Sequence, residues 1–426
     1  MRAVKLPARC WPAPDSDYQF MQIQEVLTAA QAREFLLLPV RLYAQDANYV
    51  RPLDQDISQV FDRQKNKYFR HGQLCRWLLL DEQRQVVGRV AAFVNERTAR
   101  TFAQPTGGLG FFECLDNQEA ANLLFDTARA WLQAQGMEAM DGPVNFGDRD
   151  QWWGLLLDNF WPPLYGQNYN PPYYQQLFEA YGFQRYFNQY TYFRKVVGAY
   201  SAAYQARAAV SLQNPDYSFE HLRLKNLAKY AEDFRLVYNQ AWVKHDGVKA
   251  MTPEQSANIM RKLRPVLDEK VCWFCYYKGE PVGFFISLPE LNELFRHVNG
   301  NLNWWGKAKF AWHRWRGAVR TLTGIAFGIV PAHQGKGLET AFIVTATNMI
   351  QDRSKVQYED FVMNWIGDFN PKMMRVAEAL GGRIWRTHAT YRYLFDREQP
   401  FERAPFISWF GGAGIISRRV AQLCVK

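Results

Sequence analysis

The chain has 426 residues, a net charge of +10, 48% hydrophobic and 22% charged residues, and 16% aromatic residues. This composition excludes disorder as its main state and leaves room for two or three domains. No apolar run reaches the roughly 18 residues of a membrane-spanning helix, and a basic, aromatic-rich chain suits anionic partners: nucleic acid, a membrane surface or a phosphorylated cofactor.

Residues 1–20 carry Pro and small-residue breaks without periodicity and are expected to form a flexible tail. They lack the continuous apolar stretch of a signal peptide. From Met21, MQIQEVL shows apolar alternation, so Met21 is the expected natural start. Residues 28–45 read as a helix, and 77–80 with 86–93 as a hairpin. A strand is expected at 108–113. Residues 117–135 form a helix with Ala121, Leu124, Phe125, Ala128 and Leu132 on one face, stopped by Gly136. Loop signals occupy 141–148, Pro171-Pro172-Tyr173 opens a helix ending at Tyr181-Gly182-Phe183, and 190–193 is a strand.

After residue 200 the order repeats. Expected elements are a strand at 218–222, a helix at 226–240, a hairpin of 271–277 and 282–287, and a strand at 323–330. A helix at 338–350, a strand at 361–365, a helix at 371–380 and a strand at 391–395 complete the order. The repeat implies tandem mixed α/β units. Six scattered cysteines fit reduced, cytoplasmic thiols. Cys272 and Cys275 form a lone CxxC in a strand, on opposite faces, and no metal site is expected.

The most informative stretch runs from Ile329 and Val330 through Pro331-Ala332-His333-Gln334-Gly335-Lys336-Gly337 into Leu338. Glycines let the backbone approach a ligand, and amides converging at a helix start attract an anion. Lys336 adds charge. The spacing is neither that of a nucleotide-hydrolysing loop nor that of a dinucleotide fold. The bland alternative is a tight strand-to-helix turn.

Strand, Gln334-x-x-Gly337-x-Glu339 and helix together resemble the GNAT acyltransferases. The resemblance covers most of residues 215–396, with Glu339 standing where that family has a small residue. It implies that the loop amides hold the pyrophosphate of acetyl-CoA or another acyl-CoA beside a splayed pair of strands. The family's Tyr-x-x-x-Gly-Phe helix end, whose Tyr protonates the leaving thiolate, is matched here by Ala377 to Gly382, so the Tyr is missing. Tyr391 and Tyr393 are the substitutes to consider. In the N-terminal half the helix end is present at Phe178–Phe183, but the loop reads Glu113-Cys114-Leu115-Asp116-Asn117-Gln118-Glu119. It has no glycine, and its carboxylates repel pyrophosphate. The implied fold is two tandem GNAT-like α/β domains: a degenerate one at 21–200 and an acyl-CoA-binding one at 217–398. A linker at 201–216 and a tail at 399–426 complete the division.

Across nearly the whole chain a narrower resemblance appears, to the bacterial ceramide synthase-like branch. Its marks here are Arg41–Leu53, Asp62–His71, Gly88–Ala92, Gly110–Glu113, Gly142-Pro143 and Tyr169–Tyr174. It implies fatty-acyl transfer from acyl-CoA to a sphingoid-base amine. Acetyl transfer to a small amine or protein, and non-catalytic acyl-CoA or lipid binding, stay open.

Amide formation needs an acid and a base near the operating pH. Glu290 and Asn292, at the end of the hairpin strand, and Asp368 and Asn370, after the strand through Trp365, are the acceptor-side candidates. His333, His313 and amides near Val330 are further ones. Residues 296–320 contain six Lys and Arg, no acid and four Trp. Three readings fit: a membrane-surface segment peripheral to the inner membrane, an insertion with its Trp packed inward, or, least favoured, a site for single-stranded nucleic acid.

Overall fold

The computed structural model describes residues 21–101, 103–147, 151–196, 200, 202–242, 250–351 and 357–406. The expected flexible tail at 1–20 and the end of the tail beyond Phe406 lie outside them. The first half runs β1 (Gln22–Glu25), α1 (Ala29–Leu42), α2 (Asp54–Phe61), β2 (Gly72–Leu80), β3 (Val86–Asn95) and β4 (Thr106–Cys114). It continues with α3 (Gln118–Ala134), β5 (Ala139–Gly142), β6 (Leu155–Leu156), α4 (Tyr174–Tyr181) and β7 (Gln184–Lys195). The second half begins with α5 (Ala202–Leu212), β8 (Tyr217–His221), α6 (Leu227–Trp242), α7 (Pro253–Leu263), β9 (Cys272–Tyr277) and β10 (Glu280–Pro289). It ends with α8 (Asn292–Phe295), α9 (Trp304–Trp315), β11 (Thr321–Ile329), α10 (Leu338–Gln351), β12 (Asp360–Gly367), α11 (Pro371–Ala379) and β13 (Arg383–Leu394).

Residues 202–212, placed in a linker by their sequence position, form helix α5; AAYQARAAVSL is rich in Ala, the strongest helix former. In α3 the expected apolar face is the buried one, and Asn117 accepts a hydrogen bond from the Ala120 amide at 2.8 Å to cap it. Helix α4 stops at Gly182, whose φ of 108° only glycine adopts readily.

The chain divides into two compact units, neither contiguous. The first is built from residues up to Asn188 with Val298–Gly306 and His388–Ala404; the second holds most of the rest, chiefly Gln189–His297 and Lys307–Thr387. Each sequence half therefore gives its last strand to the other half's unit. Tyr391–Leu394 of β13 pair with Ala139–Gly142 of β5, while Gln189–Lys195 of β7 pair with β12. Strand order in the first unit is β1-β2-β3-β4-β5-β13, with β6 also on β13; in the second it is β7-β12-β11-β10-β9-β8. Only β4 with β5 and β11 with β12 run parallel in these two orders.

Aromatic rings fill both cores. Phe125 stacks on Phe112 in the first unit, centroids 4.7 Å apart, and Phe234 of α6 meets Phe284 of β10 at 4.7 Å in the second. Each such buried ring contributes roughly 1.5–3 kcal/mol.

Candidate functional site

In the second unit, β11 and β12 pair through Thr321–Gly324 and Asp360–Met363, and no further. Two bulges lie at the parting. Ile286 faces Ala326 but Ser287 faces Gly324, which leaves Ile325 as an extra residue in β11. Across β12, Met363 faces Tyr192 and Ile366 faces Tyr190, with Trp365 at a φ of 34° between them. A bulge bends its strand and sharpens the local twist, so the parallel pair opens as a wedge toward Ile329.

The amide of Val330, expected from sequence as an oxyanion donor, is already spent on the Val282 carbonyl at 2.9 Å. By strand alternation Phe327 and Ile329 then turn their polar edges away from β10, toward the wedge. The Gln334 side chain confirms the direction by donating to the Ile329 carbonyl at 2.8 Å.

Beyond the strand comes a single 3-10 turn at Pro331–His333, then Gly335 and Gly337 at φ of 75° and 82°. Both values lie in the left-handed region that glycine enters without penalty. Thr340 and Ala341 donate to the Gly337 carbonyl and begin α10. The amides of Lys336, Gly337 and Leu338 precede the first intrahelical bond, as at any helix start.

Glu339 folds back onto the loop. Its Oε1 accepts a hydrogen bond from the Gly335 amide at 3.0 Å, and its Oε2 is buried with no partner among the described residues. One loop amide thus already holds a carboxylate oxygen, a donor that suits an anion. A bound pyrophosphate must displace that carboxylate or settle on the amides beyond it. Helix α5 packs on α10 and against the loop, with Ser211 Oγ donating to the Lys336 carbonyl at 2.9 Å. A Cβ at Gly337 would lie 2.9 Å from the Arg207 carbonyl, whereas one at Gly335 would meet nothing. Beside the loop, Tyr217, Tyr277, His333 and Lys336 line an open groove, with Tyr217 Oη 2.7 Å from His333 Nδ1. Burial and, less, Lys336 pull the His333 imidazole below its ordinary pKa.

The expected acid–base residues divide by position. Glu290 follows β10 beside the start of β11 and is buried; Thr323 Oγ1 donates to its Oε2 at 2.7 Å and the Asn292 amide to its Oε1 at 3.0 Å. It lies at the apex of the wedge with both oxygens engaged, and Asn292 opens the short helix α8. Asp368 and Asn370 follow β12, at the end where β11 enters the glycine loop. Asn370 caps α11 through the Met373 amide, and its Nδ2 is buried with no partner among the described residues.

Tyr391 is placed elsewhere. It belongs to the first unit, where its hydroxyl donates to Glu179 at 2.8 Å and accepts from Arg185 at 3.1 Å. Tyr393 likewise serves the first unit, accepting from Arg129. The exchange of last strands removes both from the glycine loop's own unit. Ala377 is buried on α11.

Sequence reasoning passed over a polar group near the apex. Ser287 is fully buried with its hydroxyl unpartnered among the described residues, Thr323 holds Glu290, and Thr191 bonds Asn364 at 3.3 Å. The available signal was a Ser, a Thr and an Asn inside otherwise apolar strands. Beside the parting, the rings of Phe285 and Phe361 stand 6.0 Å apart and border a small apolar cavity of about 30 Å³, open to solvent, with Ile343, Ile350, Leu380 and Tyr200.

The first unit repeats the parting without the loop. Strands β4 and β5 pair only through Thr106–Gly108 and Ala139–Asp141, and a bulge holds Phe111 at a φ of 50°. Here the Val144 amide donates to the Leu109 carbonyl, and a Cβ at Gly110 would sit 1.8 Å from the Val144 oxygen. Glu113 is buried beside Arg89 at 3.2 Å and accepts from the hydroxyls of Tyr43 and Tyr174. Burial lifts its carboxyl above the ordinary pKa, against the opposing pull of Arg89 and the two tyrosines.

The CxxC thiols are both free and buried, and burial pushes the Cys275 thiol up to about 12. No group of three or more metal-ligating side chains comes together among the described residues. In the basic segment, α9 carries four exposed Trp, so the inward-packed reading fails.

No protein-family model matches the chain. It is 26% identical over 386 residues to a bacterial ceramide synthase of Caulobacter vibrioides, covering 88% of this chain and 98% of that protein. Protein YghO of Escherichia coli K12 is 22% identical over 375 residues, covering 87% and 94%. Among solved structures, a tandem GNAT protein from the clavulanic acid biosynthesis pathway aligns with a TM-score of 0.50 at 11% identity, over 89% of this chain and 100% of that one. The chain has the tandem GNAT fold, and its sequence resembles a bacterial ceramide synthase over most of its length.

Proposed function

We propose that this tandem GNAT protein is an N-acyltransferase with one acyl-CoA site, in the second unit, and that a long-chain amine such as a sphingoid base is its acceptor. The observation that carries the reading is the wedge between β11 and β12 ending on a loop in which one amide, that of Gly335, already binds a carboxylate oxygen. The acceptor class rests on the similarity to the Caulobacter ceramide synthase.

In this reading the amides of residues 335–338 hold the diphosphate, and the edges of Phe327 and Ile329 hold the arm that bears the thioester. The amine nitrogen attacks the thioester carbonyl; a C–N bond forms, the C–S bond breaks, and one amine proton ends on the sulfur of free coenzyme A. Glu290, tied to Thr323, positions the apex. Asp368 and Asn370, at the open end, are the groups left to handle protons. The small apolar opening beside Phe285 and Phe361, which leads to solvent, is where the acyl chain passes. Narrowing it with Ile343→Trp is expected to cut palmitoyl transfer about 10-fold or more and to spare acetyl transfer.

The test is turnover of palmitoyl-CoA and acetyl-CoA with sphinganine, monitored by thiol release and by mass spectrometry of the amide. A product with sphinganine supports the reading, and product only with small amines replaces the acceptor. Buried Ala377 in place of the family's Tyr, with Glu339 on the loop, favours a second reading: an acyl-CoA-binding protein without turnover. Coenzyme A binding with no amide from any amine would establish it.

A further inference from the structure

Helix α9 has two opposite faces. At 3.6 residues per turn, Trp304, Trp315, Trp312 and Trp305 fall within an arc of about 100°. Their exposures are 65%, 82%, 48% and 60%. On the other side Phe310 meets Phe295 at 5.5 Å, His313 stacks on His297 at 3.6 Å, and Arg314 donates to the Leu267 carbonyl at 2.8 Å. The helix is therefore anchored by one face, and its large apolar rings are turned outward. Trp304 and Trp305 stack on each other at 3.8 Å, and the Arg316 guanidinium lies 4.5 Å from the Trp312 ring centre.

Exposing four indoles to water is costly, since contiguous apolar patches on soluble surfaces mark contact sites. Charge selects the occupant. Residues 296–320 hold six basic side chains and no acidic one, and Lys307, Lys309 and Arg316 flank the tryptophan arc in exposed positions. A protein partner would need a matching acidic, apolar groove. An anionic bilayer supplies both chemistries at once: phosphates for Lys and Arg, and a headgroup layer in which indole is at its preferred depth. Each basic residue adds about 1 kcal/mol near such a surface. Among the described residues no helix is long and apolar enough to cross a membrane, so α9 would lie in the interface plane.

We infer that α9 is a membrane-docking helix that seats Trp304, Trp305, Trp312 and Trp315 in the headgroup region of an anionic bilayer. This stands on exposure and charge alone and does not need the acyl-transfer reading.

The test is flotation of the full chain with phosphatidylcholine vesicles, with or without 30% phosphatidylglycerol, at low and high salt, with no acyl-CoA or amine present. Binding to the anionic vesicles is expected, with a blue shift of tryptophan emission. It should weaken about 10-fold or more in Trp312→Ser/Trp315→Ser and in Lys307→Glu/Lys309→Glu, and at high salt. Circular dichroism and the thermal midpoint of the variants check that the fold is kept. Equal flotation of folded variants and wild type overturns the assignment. So does tight binding of single-stranded oligonucleotide without vesicle binding, or burial of the indoles in a dimer seen by ultracentrifugation.

Discussion

In the first unit β4 and β5 part after Gly108 and Asp141; in the second β11 and β12 part after Gly324 and Met363. A bulge follows each parting, at Phe111 three residues on in one and at Ile325 directly in the other. Beyond the bulge the two units diverge. In the first unit the Val144 backbone closes on β4, and further along β4 Glu113 pairs with buried Arg89 and accepts from two tyrosine hydroxyls. In the second the strand edge at Phe327 and Ile329 faces away from β10, with the Ile329 carbonyl taken by the Gln334 side chain, and runs into the glycine loop. Both units carry a parting of parallel strands; the Val144 backbone closes on β4 in the first, and β11 runs into a loop with two left-handed glycines in the second.

If the first wedge is structural, its buried group should matter to stability alone. Glu113→Ala removes the carboxylate partner of buried Arg89 and the carboxylate acceptor of the Tyr43 and Tyr174 hydroxyls. The expected loss is about 3–5 kcal/mol in urea unfolding, with coenzyme A affinity unchanged by calorimetry below the transition. A stable variant that has lost coenzyme A binding would invert the comparison. The second wedge should behave the other way. Gly337→Trp is expected to weaken coenzyme A binding at least 100-fold, or about 2.7 kcal/mol. Because that side chain also meets the Arg207 carbonyl, Gly335→Ala is the cleaner probe. Open space surrounds it, the left-handed strain is about 1–2 kcal/mol, and a loss of affinity of several-fold is expected. Unaltered binding in both variants would remove the loop from the site.

Much of this contrast was legible in the amino-acid order. Gly335 and Gly337 between an apolar strand and a helix specify the loop, and the run from Glu113 to Glu119, which has no glycine, forms no such loop in the first unit. The face of α3 followed from local periodicity. Nonlocal pairings were hidden. Nothing near Tyr391 says that its strand joins β5 rather than the strands of its own half, because strand register is chosen by partners far away in sequence. Likewise Ser287, Thr323 and Asn364 lie on three different strands and meet only once the bulges are set. Helix α5 was masked by its place between the halves, and α9 by tryptophans whose periodicity marks an exposed face rather than a core.

Glu339 sharpens the comparison further, since it is the one carboxylate the two helix starts share in kind: Glu119 near α3 and Glu339 near α10. Only Glu339 reaches back to a loop amide. Glu339→Ala frees the Gly335 N–H and removes a negative charge from the anion's path. Coenzyme A affinity should then rise about 3–10-fold, in the range of one partly buried charge–dipole contact at a helix start. Weaker binding would mean that the carboxylate orders the loop instead of competing for it.

The smallest effect separates a buried carboxyl from an ordinary one. Burial raises Glu113 above its usual 4.5, so the folded state holds that proton more tightly than the unfolded chain does. Its contribution to stability is then complete below about 4.5 and is lost as pH rises through the folded value. Glu113→Gln cannot titrate. The urea midpoint of the native protein, taken relative to this variant, should therefore fall as pH is raised from about 4.5 toward about 7.5. A difference that stays constant over that range would mean that Arg89, Tyr43 and Tyr174 outweigh burial and keep the carboxyl ionised throughout. In that case Glu113 and Arg89 would form a buried ion pair throughout that range, with no net charge of its own.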